Sequence, residues 1–247
     1  MYNFKEVSCN SVDDLLDLFP QENEEMINRG GEFSSPYTST IPLIILVKDF
    51  PELLDPFHID GQQIFEYETK PKKGIGRASC SDLAVIDDFS CLIVEAKRTE
   101  PKYELVEKWF DHSKNRKLVL EGWLDFINEH TGKSIKIEDI MDIPYQAVHR
   151  TASACAVKKK NTKIAYFLFD INEEKGKYYK DILRKLKRLT GNTITYYYCL
   201  FRIKKTKTQL ELEAQWDNGV RNLEKEVKTG IINSNLMKIV KKDLRDL

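Results

Sequence analysis

The chain has 247 residues with 39 basic and 39 acidic side chains, enough length for one large domain and a sizeable core. Its longest apolar run, Ile41–Val47, is strand-sized, so composition excludes a helical membrane span, and the N-terminus lacks the basic-then-apolar pattern of a secretion signal, which points to the cytosol. Five cysteines without CxxC spacing exclude a disulfide framework and structural zinc, and read as reduced, buried thiols.

The net charge of zero is unevenly spread. Residues 1–149 carry 16 Lys and Arg against 28 Asp and Glu, and residues 150–247 carry 23 against 11. A basic C-terminal part suits a polyanion-binding surface and equally a dipolar soluble protein.

Ser11 is placed to cap a short acidic helix that Pro20 ends. Residues 29–40, rich in Gly, Ser, Thr and Pro, read as a loop. Ile41–Phe50 reads as a strand or a buried helix turn, with length and β-branching favouring the strand, and Gln62–Lys70 alternates as a strand before the basic loop "PKKGIGR". Ser79 to about Arg98 forms a hairpin around Asp87–Ser90. Tyr103–His130 is mostly helical with a break near Asn115, and Tyr145 to about Lys158 is a further helix. Thr162–Ile171 is a strand by composition, Tyr178–Thr190 a basic amphipathic helix ended by Gly191. Thr193–Lys205 and Gln209–Trp216 read as two strands of a hairpin. The tail from Gly219 reads as helical with a break at "TGIINSN". Interleaved strands and helices without repeat or linker predict one α/β or α+β domain: a small central mixed sheet flanked by helices.

The hairpin raises a chemical question. A turn symmetric about Asp88 and Phe89 pairs Ile86 with Cys91, Ala84 with Ile93 and Asp82 with Glu95. Period-two alternation then puts Asp82, Glu95 and Lys97 on one face, while Leu83, Val85, Leu92, Val94 and Ala96 form a wholly apolar face. Carboxylates directly opposite across a ladder repel. A shared proton, the Lys97 ammonium or a divalent cation would offset that, and hard oxygen ligands favour Mg²⁺ or Mn²⁺. Solvent-facing polar residues on an exposed hairpin would give the same pattern.

Asp82, twelve residues, then Glu95-Ala96-Lys97 at the end of an apolar strand resembles the PD-(D/E)XK nuclease superfamily, the restriction-endonuclease-like fold. The resemblance covers about residues 60–172, leaving 173–247 as a basic extension. It departs at Ser81, which stands where that motif has proline. "YQAVHRTASA", from Tyr145, resembles the helix that follows the active-site strands in such proteins, and Gln146, His149 and Arg150 share one of its faces.

The resemblance implies a Mg²⁺- or Mn²⁺-dependent endonuclease acting on DNA, with a restriction or defence role by fold-level analogy. It implies Asp82, Glu95 and the Ala96 carbonyl as metal ligands, and Lys97 positioning the attacking water. Glu66 and Glu68 are candidates for a further acidic ligand, with Glu68 favoured and Glu32 more distant. Lys72, Lys73, Arg77, Gln146 and Arg150 are candidate nucleic-acid contacts. Backbone-directed chemistry carries no base information, which keeps RNA open as a substrate. Double-strand cleavage calls for two sites, hence an expected homodimer. The competing expectation is a non-catalytic nucleic-acid-binding or protein-interaction module on the same fold.

Overall fold

The strand pattern around Asp82 is realised in a computed structural model that describes residues 2–19 and 32–247. β1 (Tyr2–Phe4), β2 (Val7–Cys9), β3 (Gln62–Thr69), β4 (Ser79–Ile86), β5 (Ser90–Lys97), β6 (Asn161–Phe169), β7 (Ile194–Lys205) and β8 (Met237–Asp246) form one sheet. Its order is β2-β1-β3-β4-β5-β6-β7-β8. The sheet is mixed: β3, β4 and β5 are an antiparallel meander, β6 runs parallel to β5, β7 parallel to β6, and β8 antiparallel to β7.

The β4–β5 turn closes because the Asp87 side chain accepts the Phe89 and Ser90 amides at 2.7 and 2.6 Å, a local turn chemistry open to Asp. This fixes the expected register, Ile86 opposite Cys91 and Ala84 opposite Ile93. The parallel step from β5 to β6 needs a long crossover. It is made by α3 (Val106–Trp109), α4 (Lys114–Thr131) and α5 (Tyr145–Ala156). The break between α3 and α4 falls where the Ser113 hydroxyl caps α4 by accepting the Arg116 amide.

Two apolar layers cover the sheet. Leu83, Val85, Leu92, Val94 and Ala96 pack with α1 (Val12–Leu18), α2 (Thr40–Asp49), α7 (Lys207–Asp217) and α8 (Glu224–Ile232). Ala84, Ile93, Tyr166 and Leu168 pack with α4, α5 and α6 (Glu173–Thr190) on the other side. Helices therefore flank both faces, as the interleaved pattern predicts.

Three expectations are corrected. Ile41–Asp49 lies in helix α2, the alternative to the favoured strand, with Phe50 just past its end and every residue from Thr40 to Val47 buried. An all-round apolar helix has no period to betray it, and Pro42 sits in the first turn, where its missing N–H costs little. Gln209–Trp216 lies in helix α7, capped by the Thr206 hydroxyl accepting the Gln209 amide. The tail is helical only over α8; Met237–Asp246 is the edge strand β8, with Met237 and Ile239 buried. The α1 helix begins as expected, with Ser11 and Asp14 forming a reciprocal cap; Pro20 and residues 29–31 of the expected loop lie outside the described residues.

Candidate active site

The apolar face of the hairpin buries itself against α2, which forces Asp82, Glu95 and Lys97 onto the face covered by α5. Glu95 is 1% exposed and Lys97 2%. Charges so far from water must be paired. Glu95 is paired twice: Oε1 accepts from the Lys97 ammonium and Oε2 from Arg150 Nε, on α5. Lys97 Nζ also donates to the Tyr103 hydroxyl at 2.9 Å. Arg150 Nη1 donates to Ser79 Oγ at 2.5 Å, and the same hydroxyl lies 2.7 Å from His149 Nδ1.

Asp82 is placed differently. The β4–β5 ladder ends at Leu83↔Val94, one step short of the expected Asp82–Glu95 pair. There the strands part, and Asp82 Oδ2 accepts the Ala96 amide at 2.6 Å. A strand residue's N–H and C=O face the same neighbour, so the Ala96 carbonyl also faces this gap. On the other flank the β3–β4 ladder runs to Phe65↔Leu83 and resumes at Tyr67↔Ser81. The missing step sets Glu66 opposite Asp82. Glu66 has φ 52°, a left-handed conformation that non-glycine residues rarely adopt.

The electrostatics follow from this arrangement. Burial works against charge on Glu95, but Arg150 and Lys97 outweigh it and hold the carboxyl below its ordinary range. Burial likewise opposes the Lys97 charge, and Glu95 with Asp82 overcome it, so the ammonium is held well above its usual range. Both cations are thus committed to Glu95. Asp82 is left with a pKa well above a normal aspartate, through burial first and the Glu95 charge second. Glu66 is pushed up to about 7 by burial and by Glu32. Glu32 is itself raised by burial, and its carboxylate accepts from the Thr40 hydroxyl. Burial, with Arg150 and Lys97 nearby, pushes His149 well below its normal value, so it is neutral. Asp82, Glu66 and Glu95 thus act on one another electrostatically, Glu32 acts on Glu66, and the two cations pair with Glu95 alone.

Sequence reasoning and structure agree on which side chains meet. Asp82, Glu95, Lys97, the Ala96 backbone and Arg150 share one neighbourhood. Gln146 lies one turn before Arg150 on α5, with a buried Oε1 that has no hydrogen-bond partner among the described residues. Glu68 does not join them: it forms an ion pair with Lys5 at 2.6 Å, both side chains about 40% exposed. The further acid beside Asp82 is Glu66, because its left-handed turn breaks the alternation that made the two residues equivalent. Lys72 and Lys73 are drawn onto α4 as partners of Glu129 and Asp125. Arg77 is exposed at the rim of a cleft of about 720 Å³ that also touches Arg116, Trp109, Tyr145, Gln146 and Arg150. Tyr103 and Ser79 were not singled out by sequence reasoning. Ser79 opens the strand that carries Asp82, but nothing in its surroundings in the chain marks it as a partner for Arg150.

Mixed strands that part around carboxyl groups, with a buried lysine and arginine alongside, define an α/β domain with a charged pocket at one end of its central strands. The chain belongs to the family described as a domain of unknown function, DUF6946, which matches residues 25–219. No curated protein and no solved structure matches it.

The donors fit a hard divalent cation: carboxylate oxygens of Asp82 and Glu95, the Ala96 carbonyl and nearby Glu66 are all oxygen. Among the described residues no three His, Cys, Asp or Glu side chains are grouped as a ready-made metal cage. Mg²⁺ does not require one, since it typically takes one or two carboxylates and completes its shell with water and phosphate oxygens.

Proposed function

We propose that this protein is a divalent-cation-dependent nuclease of the PD-(D/E)XK type that hydrolyses phosphodiester bonds of DNA. The observation that carries the reading is Asp82. Its half-buried carboxyl sits in a gap of the sheet beside Glu95, with no ion pair of its own among the described residues, at a position where a β-sheet would ordinarily continue its ladder. Asp82, Glu95 and the Ala96 carbonyl would hold Mg²⁺ or Mn²⁺, with Glu66 rather than Glu68 as the further acid. The bound ion supplies a polarised water and charge neutralisation for the phosphate.

The chain's own groups do the rest. Lys97, fixed between Glu95 and Tyr103, presents an ammonium to the charge that builds on the phosphate. Arg150, whose guanidinium stays charged because Glu95 and Asp82 outweigh its burial, orients Glu95 and adds positive potential. Gln146 offers an unsatisfied amide oxygen at the cleft. Arg77 meets the nucleic-acid backbone at the rim. Cleavage of both strands would need two such sites, hence a homodimer on the substrate. A restriction or defence role remains an analogy from the fold. No helix among the described residues is long and apolar enough to cross a membrane.

One observation favours the second reading, a non-catalytic nucleic-acid-binding module: both Glu95 oxygens are already taken, by Lys97 and Arg150. The two readings separate in one experiment. Wild type and Lys97→Ala are incubated with supercoiled and linear DNA in Mg²⁺, Mn²⁺ or EDTA, and cation-induced thermal stabilisation is measured in parallel. Metal-dependent nicking by wild type alone supports the nuclease. A folded wild type that neither cleaves nor gains stability from either cation refutes it, and DNA binding that persists in EDTA then identifies the module.

A further inference from the structure

The most exposed large apolar side chain among the described residues is Ile75, at 88%. A single exposed isoleucine is ordinarily unremarkable. This one sits in a loop that is fastened down on every side. Asn115 of α4 accepts the Ile75 amide and donates to the Ile75 carbonyl, both at 2.8 Å. Gly74, at φ 79°, lies so close to α4 that a Cβ there would come within 2.6 Å of Val119. Gly122 lets the Lys72–Lys73 backbone approach α4 to a distance that a Cβ would block, 2.5 Å from the Lys73 nitrogen. Lys73 is tied to Asp125 at 2.9 Å. The loop is therefore a rigid platform that holds a branched apolar side chain out into water.

Its surroundings say what it is held towards. Arg77, two residues on, is exposed and makes no ion pair among the described residues, and Lys70 is exposed at the loop's start. Behind Ile75 opens the cleft of about 720 Å³ that runs to Arg150, inside the size range of small-ligand sites. Its wall carries Trp109 stacked on Tyr145 at 3.9 Å, with the Arg116 guanidinium 5.0 Å over the indole. One apolar side chain, flanked along the loop by the exposed Lys70 and Arg77, is too little surface for a stable protein interface. It matches instead the apolar wedge with flanking basic residues by which proteins part stacked bases.

We propose that the 70–78 loop is a nucleic-acid wedge: Ile75 inserts between stacked base pairs of a duplex, Arg77 holds the adjoining phosphate, and the displaced nucleotide turns into the cleft towards Arg150. This rests on the reading of the protein as acting on nucleic acid, and it narrows the substrate to duplex steps that unstack readily, such as pyrimidine–purine steps, mismatches and branch points. The loop is pre-formed, so no ordering of the protein opposes the insertion.

The test uses the full-length protein in EDTA, where a metal-dependent enzyme cannot cut. A duplex carrying one 2-aminopurine is titrated with wild type, Ile75→Ala and Ile75→Leu, and fluorescence and affinity are read together. Wild type and Ile75→Leu should raise the fluorescence as the base unstacks. Ile75→Ala should lose the rise and bind about tenfold more weakly, with an unchanged melting temperature and single-strand affinity. A wild type that binds the duplex without raising fluorescence, or an Ile75→Ala that raises it equally, overturns the wedge and leaves the nuclease reading standing. A wild type that neither binds duplex in EDTA nor cleaves it in Mg²⁺ removes both. A change of oligomeric state in Ile75→Ala would assign the side chain to a protein contact and overturn the proposal.

Discussion

Replacing Arg150 by methionine tests whether the buried charges hold one another. The methionine keeps much of the apolar volume but withdraws the guanidinium from Glu95 Oε2 and from Ser79 Oγ. Removing one partner of a buried pair generally costs about 3–5 kcal/mol, because the other charge is stranded. Lys97 still neutralises Glu95 through Oε1, which places the expected loss near the lower end, about 3 kcal/mol. For a chain of this size that is a fall in Tm of roughly 6–12 °C. Urea unfolding should show it as a lower midpoint at unchanged slope. Glu95→Gln alone strands two cations, whereas the double variant strands only Lys97, which keeps Asp82 nearby. The double variant should therefore be less destabilised than the single losses combined, with a coupling of about 1–3 kcal/mol. A loss under about 1 kcal/mol in Arg150→Met, or strict additivity in the double variant, would mean that Glu95 is not ionised in the fold, and the electrostatic account of the site would fail.

Asp82→Asn removes a charge that burial and Glu95 both disfavour while leaving an oxygen for the Ala96 amide. The metal-free protein should gain about 1 kcal/mol in unfolding free energy and lose all stabilisation by Mg²⁺, read by denaturant and thermal melts side by side. Glu66, raised to about 7 against an ordinary value of 4.5, holds its proton in the folded state after the unfolded chain has released it. Its favourable contribution is complete below about pH 4.5 and disappears as pH rises through 7, a change of about 2–3 kcal/mol. Glu66→Gln should accordingly gain on wild type by that amount between pH 4.5 and 7.5, and parallel stability curves would contradict it. Gly122→Ala pushes a methyl into the Lys73 backbone and should cost about 1–3 kcal/mol, with weaker DNA retention at low salt as the 70–78 loop lifts from α4.

The hairpin was the most legible part of the chain, because local rules determine it: Asp87 closes the turn, and the apolar alternation leaves one register that buries a whole face. The same register brought Asp82, Glu95 and Lys97 to one face, and the helical spacing of Gln146 and Arg150 set them over it. What was not legible depended on tertiary surroundings. The run TIPLIILV is strand-like in length and content, and only its enclosure by sheet and helices makes it α2. The alternation in QLELEAQW conceals a helix whose Gln209 and Glu213, four residues apart, reach inward to Pro36 and Arg98. Thr206, three residues before Gln209, was the available signal for its start. Glu66 and Glu68 were equivalent by alternation, and a single left-handed residue, invisible in composition, separated them.

Arg98 follows Lys97 directly, and its buried guanidinium donates to the Pro36 carbonyl at 2.7 Å and to Glu213 of α7 at 3.1 Å. The strand that ends in the candidate active site is thus anchored by residues 62 positions before it and 115 after it. A chain emerging from the ribosome exposes Glu66, Asp82, Glu95, Lys97 and Arg150 well before Glu213. During that interval Arg98 lacks its ion-pair partner Glu213, while Glu100 and Asp170, which also act on the guanidinium, are already in the chain. The anchor at the end of β5 is therefore completed only when α7 arrives. A C-terminally truncated chain lacking α7 would hold every acidic group of the cluster without the Glu213 anchor at the end of β5.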